Sequence, residues 1–260
     1  MFAAEPCCTR VVVASRNPNK FRIRQAEYRP CDLRYIEEVK ALFQDIQPKI
    51  IIHTISPGPF AQASEQYEVT YFGTKRVLEL AKLRPSVRAF VWTSSVNSVE
   101  LDSTTNHRPI NEAKATVTDW TSRASAYGRA KGSTETLVLG SNTDATAVDF
   151  SDEADWRGKL LTMSLRVTGL YGPRDKTSIK DILSLVNTIA TRTQIGPNKL
   201  VHSWCYVDSA ANAHVYAAKA LLDAKHLQPD IRVDGEAFFI ADPKPHEILG
   251  LHEGCTSGSW

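Results

Sequence analysis

In Ser125-Ala126-Tyr127-Gly128-Arg129-Ala130-Lys131, residue type and spacing together imply chemistry. On a helix, positions i and i+4 share a face, so the Tyr127 phenol and the Lys131 ammonium can point into one space. A phenol in water has a pKa near ~10, and a fixed positive charge within a few ångströms lowers it towards working pH. Such a pair can take a proton from an alcohol or return one to a ketone. As plain structure, the same spacing is an amphipathic helix with a core tyrosine and a surface lysine. A second signal lies roughly thirty residues upstream. Phe90-Val91-Trp92-Thr93-Ser94-Ser95 is an apolar run ending abruptly in hydroxyls, as a buried parallel strand does where its carboxyl end opens on a crevice.

The elements that must position these side chains follow from periodicity. Further strand-type runs occur at Arg10–Ala14, Ile50–Thr54, Leu160–Arg166 and Ala237–Ile240. Between them lie helical patterns at about Arg34–Ile46 (apolar Ile36, Val39, Leu42, Phe43 and Ile46), Ser64–Leu83, Ser125–Gly140, Ile179–Thr191 and Asp208–Ala224. Asp32 and Asp208 sit where helix N-caps are expected. His53 reads as a satisfied strand-end histidine and His214 as a packing residue. Glu100–Thr121 is polar and irregular, a loop framing the substrate mouth. Ser141–Gly158 is acidic and rich in Gly, Asp and Ser, and is expected to be a surface insertion.

The 31 basic residues nearly balance the 29 acidic ones, so there is no basic field to recruit nucleic acid. The five cysteines are scattered without metal-type spacing and read as free thiols in a reducing compartment. No apolar stretch approaches the ~20 residues that span a bilayer. The expectation is a soluble, cytoplasmic chain without a metal site.

The T-S-S strand end and the Y-x-x-x-K helix together resemble the extended short-chain dehydrogenase/reductases, and more narrowly their 3β-hydroxysteroid dehydrogenase branch. The resemblance runs from about Arg10 to Asp242 and includes His53-Thr54-Ile55-Ser56-Pro57, the Tyr171-Gly172-Pro173 turn, Tyr206-Val207-Asp208 and Phe238-Phe239-Ile240. It implies an α/β fold, a Rossmann-like doubly wound parallel sheet, with residues 1–166 as the dinucleotide-binding part and 167–260 as a substrate-binding part. It also implies that Ser95 holds the reacting oxygen, Tyr127 is the acid/base, and Lys131 lowers the phenol's pKa and holds the nicotinamide ribose. The cofactor would be NADP or NAD. Ser15 and Arg16, at the end of the Arg10–Ala14 strand, stand where an acidic side chain would favour NAD, and Arg16 leans the choice to NADP. Asp32 would touch the adenine, Thr54 and Ser56 the diphosphate and ribose, and Tyr171 would lie beside the nicotinamide. Thr70 stands where the family usually has an asparagine that supports the lysine through a water. The substrate would be a steroid- or terpenoid-like alcohol or ketone, its setting secondary-metabolite biosynthesis, and a homodimer would form through the Ser64–Leu83 and Ser125–Gly140 helices.

One family feature is missing. No G-x-x-G-x-x-G occurs in the 260 residues, and the family's first strand has no counterpart. In a sheet of order 3-2-1-4-5-6 that strand pairs on both edges, so either the Arg10–Ala14 and Ile50–Thr54 strands close directly or the sheet is weakened. Two further readings stay open: a catalytically silent binding protein or an incomplete sequence, and a nucleotide-sugar epimerase or dehydratase on the same scaffold.

Overall fold

The computed structural model describes residues 1–19, 22–100, 110–175, 201–226, 231–243 and 246–247. In chain order the elements are β1 (Val12–Ser15), β2 (Glu27–Pro30), α1 (Ile36–Ile46), β3 (Ile50–His53) and α2 (Ala63–Glu65). α2 runs through a π-helical stretch, Gln66–Phe72, into α3 (Gly73–Lys82). There follow β4 (Ala89–Ser95), α4 (Ala126–Leu139), β5 (Leu161–Val167), β6 (Gly169–Tyr171), β7 (Val201–His202), β8 (Trp204–Tyr206), α5 (Val207–Leu222), β9 (Glu236–Ile240) and β10 (His246–Glu247). The expected helix at 179–191 and the C-terminal tail lie outside the described residues.

β3, β4, β5 and β9 form a four-stranded parallel sheet in the order β3-β4-β5-β9. Its two central strands are almost wholly buried, as continuous apolar runs require when both faces are covered. Alternate residues of β4 enter different cores. Phe90 and Trp92 join a cluster with Val39 and Phe43 of α1, Val77 and Leu78 of α3 and Val138 of α4. Ala89 and Val91 join another with Leu161, Met163 and Leu165 of β5 and Ala217 and Leu221 of α5. The α4 face and the α5 face of the sheet are therefore distinct layers.

β1 pairs in parallel with β2, and no ladder joins β1 to β3 among the described residues. The direct closure of these two strands does not occur, although Ala14 and Ile51 both pack on the core shared by α1 and α3. β2 is an element the sequence pattern did not announce. Its Glu27 and Arg29 are held by ion pairs to Arg10 and Asp45, each at 2.7 Å, and a charged run ending in Pro30 carries little strand signal.

Three local expectations are corrected. Asp32 does not cap α1, whose N-cap is Tyr35; its carboxylate is ion-paired with Arg34 at 2.6 Å and accepts the Arg34 N–H at 3.0 Å. Asp208 lies in the first turn of α5 and is not its N-cap, which is Tyr206. A carboxylate there still complements the helix dipole. Ser141–Gly158 is not a superficial insertion, because Trp156 is fully buried in the α5-side core with Phe150 edge-on at 5.2 Å.

Candidate active site

Ser125 starts α4 with its hydroxyl accepting the Gly128 N–H at 3.0 Å, a conventional N-cap. Two helix-interior glycines then let α4 lie directly on the chain that leaves β4. A Cβ on Gly128 would stand 2.7 Å from the Asn97 carbonyl oxygen, and one on Gly132 would collide with the carbonyl and hydroxyl oxygens of Thr118. Thr118 Oγ1 clamps the approach, lying 3.1 Å from Ser98 O and 2.8 Å from Gly128 O. This close contact brings α4 onto the carboxyl end of β4, where Ser95 is the last residue.

Ser95, Tyr127 and Lys131 come together there. The Ser95 hydroxyl caps the turn after β4, accepting Asn97 N–H at 3.2 Å, and lies near enough to the Tyr127 phenol to favour its ionised form. Burial pushes that phenol's pKa up, and the nearby Ser95 hydroxyl partly opposes the shift. The expected lowering by Lys131 is absent. The Lys131 ammonium is buried and turned to the strand, donating to Thr93 O at 2.8 Å and lying 4.3 Å from the centre of the Trp92 ring, against 5.8 Å from that of Tyr127. Burial lowers its own pKa to about 7, with Glu135 one turn further on pulling the other way. His53 is, as expected, a satisfied core histidine: its Nε2 lies 2.9 Å from Thr74 Oγ1, and burial, then the Lys131 charge, hold its pKa down to about 3.

The other site candidates are more dispersed. Ser15 ends β1, and its carbonyl accepts Cys31 N–H at 3.0 Å. Exposed Arg16 lies 4.0 Å from Glu65 and adds its charge to the forces that keep Asp32 ionised. Thr54 is exposed and Ser56 half-buried in the loop after β3. Ser56 Oγ lies 3.3 Å from the hydroxyl of Thr70, which is fully buried in the π-helical stretch. Tyr171 belongs to the β6–β8 pair and donates its phenol to Asp242 Oδ2 at 2.8 Å. An open apolar groove lined by Met163, Leu165, Ala217, Phe238 and Ile240 lies on the α5 face, away from the α4 layer that carries Tyr127 and Lys131.

Sequence reasoning missed the Thr93 carbonyl, the Trp92 face, and the buried pair of Glu135 with Arg166 at 2.7 Å. Glu135 was available as the next i+4 step of the Tyr127–Lys131 stripe, and Gly128 and Gly132 as small residues one turn apart on a helix. His214, expected only to pack, also bonds Thr93 Oγ1 at 2.6 Å. Its Nδ1 faces the Ala210 carbonyl at 2.7 Å and must carry the proton, so Nε2 accepts from Thr93.

For a nicotinamide dinucleotide, the donor set fits one half. The Ser95 hydroxyl, Tyr127 phenol and Lys131 ammonium suit a ribose and a reacting oxygen, whereas no glycine-rich turn among the described residues cradles a diphosphate.

The 3-beta hydroxysteroid dehydrogenase/isomerase family matches residues 11–252. The chain belongs to this family. Among curated members of similar sequence, a decarboxylating sterol-4-alpha-carboxylate 3-dehydrogenase of Gibberella zeae is 30% identical over 224 residues, covering 84% of this chain and 65% of that protein. The enzyme of the same name from Saccharomyces cerevisiae is 26% identical, with 89% and 60% covered. The chain thus spans less than two thirds of either relative. A UDP-glucose 4-epimerase structure from Thermotoga maritima aligns with a TM-score of 0.67 at 17% identity, covering 95% of this chain and 74% of that one. The same enzyme from Thermus thermophilus, in complex with NAD, gives 0.65 at 18%, with the same coverage. At such identity the likeness shows the Rossmann-like fold and no activity.

Proposed function

We propose that the chain is an NAD(P)-dependent oxidoreductase of the 3β-hydroxysteroid dehydrogenase type, interconverting a secondary alcohol and a ketone on a steroid- or terpenoid-like substrate. The observation that carries this reading is the approach of α4 to the carboxyl end of β4, which brings the Tyr127 phenol to the Ser95 hydroxyl with buried Lys131 one helical turn on, its ammonium 5.8 Å from the centre of the Tyr127 ring. The nicotinamide, when bound, supplies hydride chemistry. Ser95 holds the substrate oxygen by hydrogen bonding. Tyr127 takes the hydroxyl proton in oxidation and returns it in reduction. Lys131 holds the ribose hydroxyls, its ammonium leaving the Thr93 carbonyl to do so. Arg16 pairs with a 2′-phosphate, favouring NADP, while Ser15, Asp32, Thr54, Ser56 and Tyr171 line the rest of the cofactor path and residues 167–260 supply the substrate side.

The names of the curated relatives point to a sterol bearing a 4-carboxylate as the substrate class. The test is incubation of the chain with 3β-hydroxysteroids, with and without a 4α-carboxylate, and NAD⁺ or NADP⁺, with ketone formation followed by mass spectrometry. Ketone that disappears in Tyr127→Phe supports the reading. No ketone from either substrate class, from folded chain with bound cofactor, sinks it. A place in secondary-metabolite biosynthesis and a homodimer built on the α2–α3 run and α4 belong to the same proposal. No helix among the described residues is long and apolar enough to cross a membrane.

A second reading, a binding protein without turnover, is favoured by the lack of any ladder between β1 and β3 among the described residues. It predicts ligand binding that is indifferent to Tyr127→Phe and yields no product.

A further inference from the structure

The α4 face that presents Tyr127 and Lys131 continues one turn on to Glu135, which is 0% exposed. A buried lysine and glutamate at i and i+4 on one helix are ready-made partners. Here they are kept apart. The Lys131 ammonium lies on the Thr93 carbonyl, and the Glu135 carboxylate is occupied from β5 and from the segment after β4. Arg166 Nε and Nη2 both donate to Oε1, at 2.9 and 2.7 Å. Oε2 accepts from Ser164 Oγ at 2.8 Å and from Ser98 Oγ at 3.4 Å. Arg166 has 5% of its side chain exposed, its Nη1 has no hydrogen-bond partner among the described residues, and its guanidinium carbon lies 5.1 Å from the centre of the Phe239 ring. As a stabilising device this is poor, because a buried ion pair is often matched or bettered by apolar residues of the same volume, and an unsatisfied donor adds to its cost.

We propose that Arg166 and Glu135 are positioning residues of the site: Arg166 saturates the carboxylate that would otherwise capture the Lys131 ammonium, leaving that ammonium between Trp92 and the Thr93 carbonyl, beside Tyr127. The proposal rests on Lys131 being the functional lysine of the preceding section. Its test reads the Lys131 proton itself, so it can fail while that function stands. The groups facing Lys131 are Tyr127 and Glu135 on α4, His53 on β3, and the Trp92 ring and Thr93 carbonyl on β4.

The experiment is a pH titration of Lys131 in the full chain, carrying ¹³C at lysine Cε, with Lys131→Arg to assign its signal. Arg166→Met frees the carboxylate to pair with the ammonium, so the Lys131 midpoint rises. Glu135→Gln removes the negative charge and leaves a cation nearby, so the midpoint falls below that of the unsubstituted chain. Opposite movements support the proposal. Movement of both variants towards the value of a solvent-exposed lysine, as a merely bracing pair predicts, overturns it, as does an unchanged midpoint in Arg166→Met. If Arg166→Met does not fold, Arg166→Lys is read in its place, since it keeps the charge and loses the two-pronged bond. A raised midpoint then supports the proposal and an unchanged one overturns it.

Discussion

Tyr127 and Lys131 occupy a drier environment than their spacing suggests, and that changes what each contributes. A phenol whose pKa burial pushes up stays protonated at neutral pH and is a weaker proton donor than a free phenol, so it can act as a base only after losing its own proton. Replacing Tyr127 by Phe removes the proton route while keeping the ring, so turnover should fall by about 10²- to 10⁴-fold with little change in melting temperature, measured side by side on the two proteins. Lys131 gives a pH signature in stability. Its pKa is about 7 folded against 10.5 as the ordinary value, so between these values the unfolded chain binds the extra proton. Stability due to this group therefore rises as pH rises through the window, by up to about 1.4 kcal/mol per pH unit. Lys131→Met cannot titrate and lacks the term. Denaturant unfolding of both proteins from about pH 7 to 10 should give a difference that grows in favour of the unsubstituted chain. Parallel curves would show that the ammonium is not held in a dry site.

At the scale of elements, α4 is positioned by what it lacks. Gly128 and Gly132 allow it to touch the Asn97 and Thr118 backbone, and Gly132→Ala should cost about 1–3 kcal/mol by overpacking. Because the helix must back away from β4, activity should fall further than stability alone explains. Retention of full activity would mean that the close approach is not what sets the geometry. The strand and helix that carry Ser95, Tyr127 and Lys131 were legible because each has a strong period and an abrupt chemical end. β2 was not, because its charged residues are satisfied by Arg10 and Asp45 from distant parts of the chain. Nor was buried Trp156, whose neighbours in sequence are acidic and whose burial comes from packing against the α5 side of the sheet. The Lys131 ammonium was misplaced for a related reason: helix spacing puts it on the Tyr127 face, but the carbonyl that holds it belongs to β4.

At the scale of the whole molecule, the four-stranded sheet and the β1–β2 pair are joined through side-chain packing and, among the described residues, by no ladder. Hydrogen exchange should show it, with the amides of Val12–Ser15 and Glu27–Arg29 opening well before those of β4 and β5, which exchange only with global unfolding. Equal protection would argue that the two sheets behave as one. The same split bears on function, since the adenosine-side candidates Ser15, Arg16 and Asp32 sit at the β1–β2 pair while Ser95, Tyr127 and Lys131 sit beyond the gap. The most direct test of the central claim, that these three residues form a working nicotinamide-dependent site, is titration of the chain with NADPH and NADH followed by nicotinamide fluorescence. The prediction is micromolar binding of at least one cofactor, NADPH the tighter, weakened about 10- to 100-fold by Lys131→Ala and little changed by Tyr127→Phe. No binding at millimolar cofactor by a chain shown to be folded would contradict it.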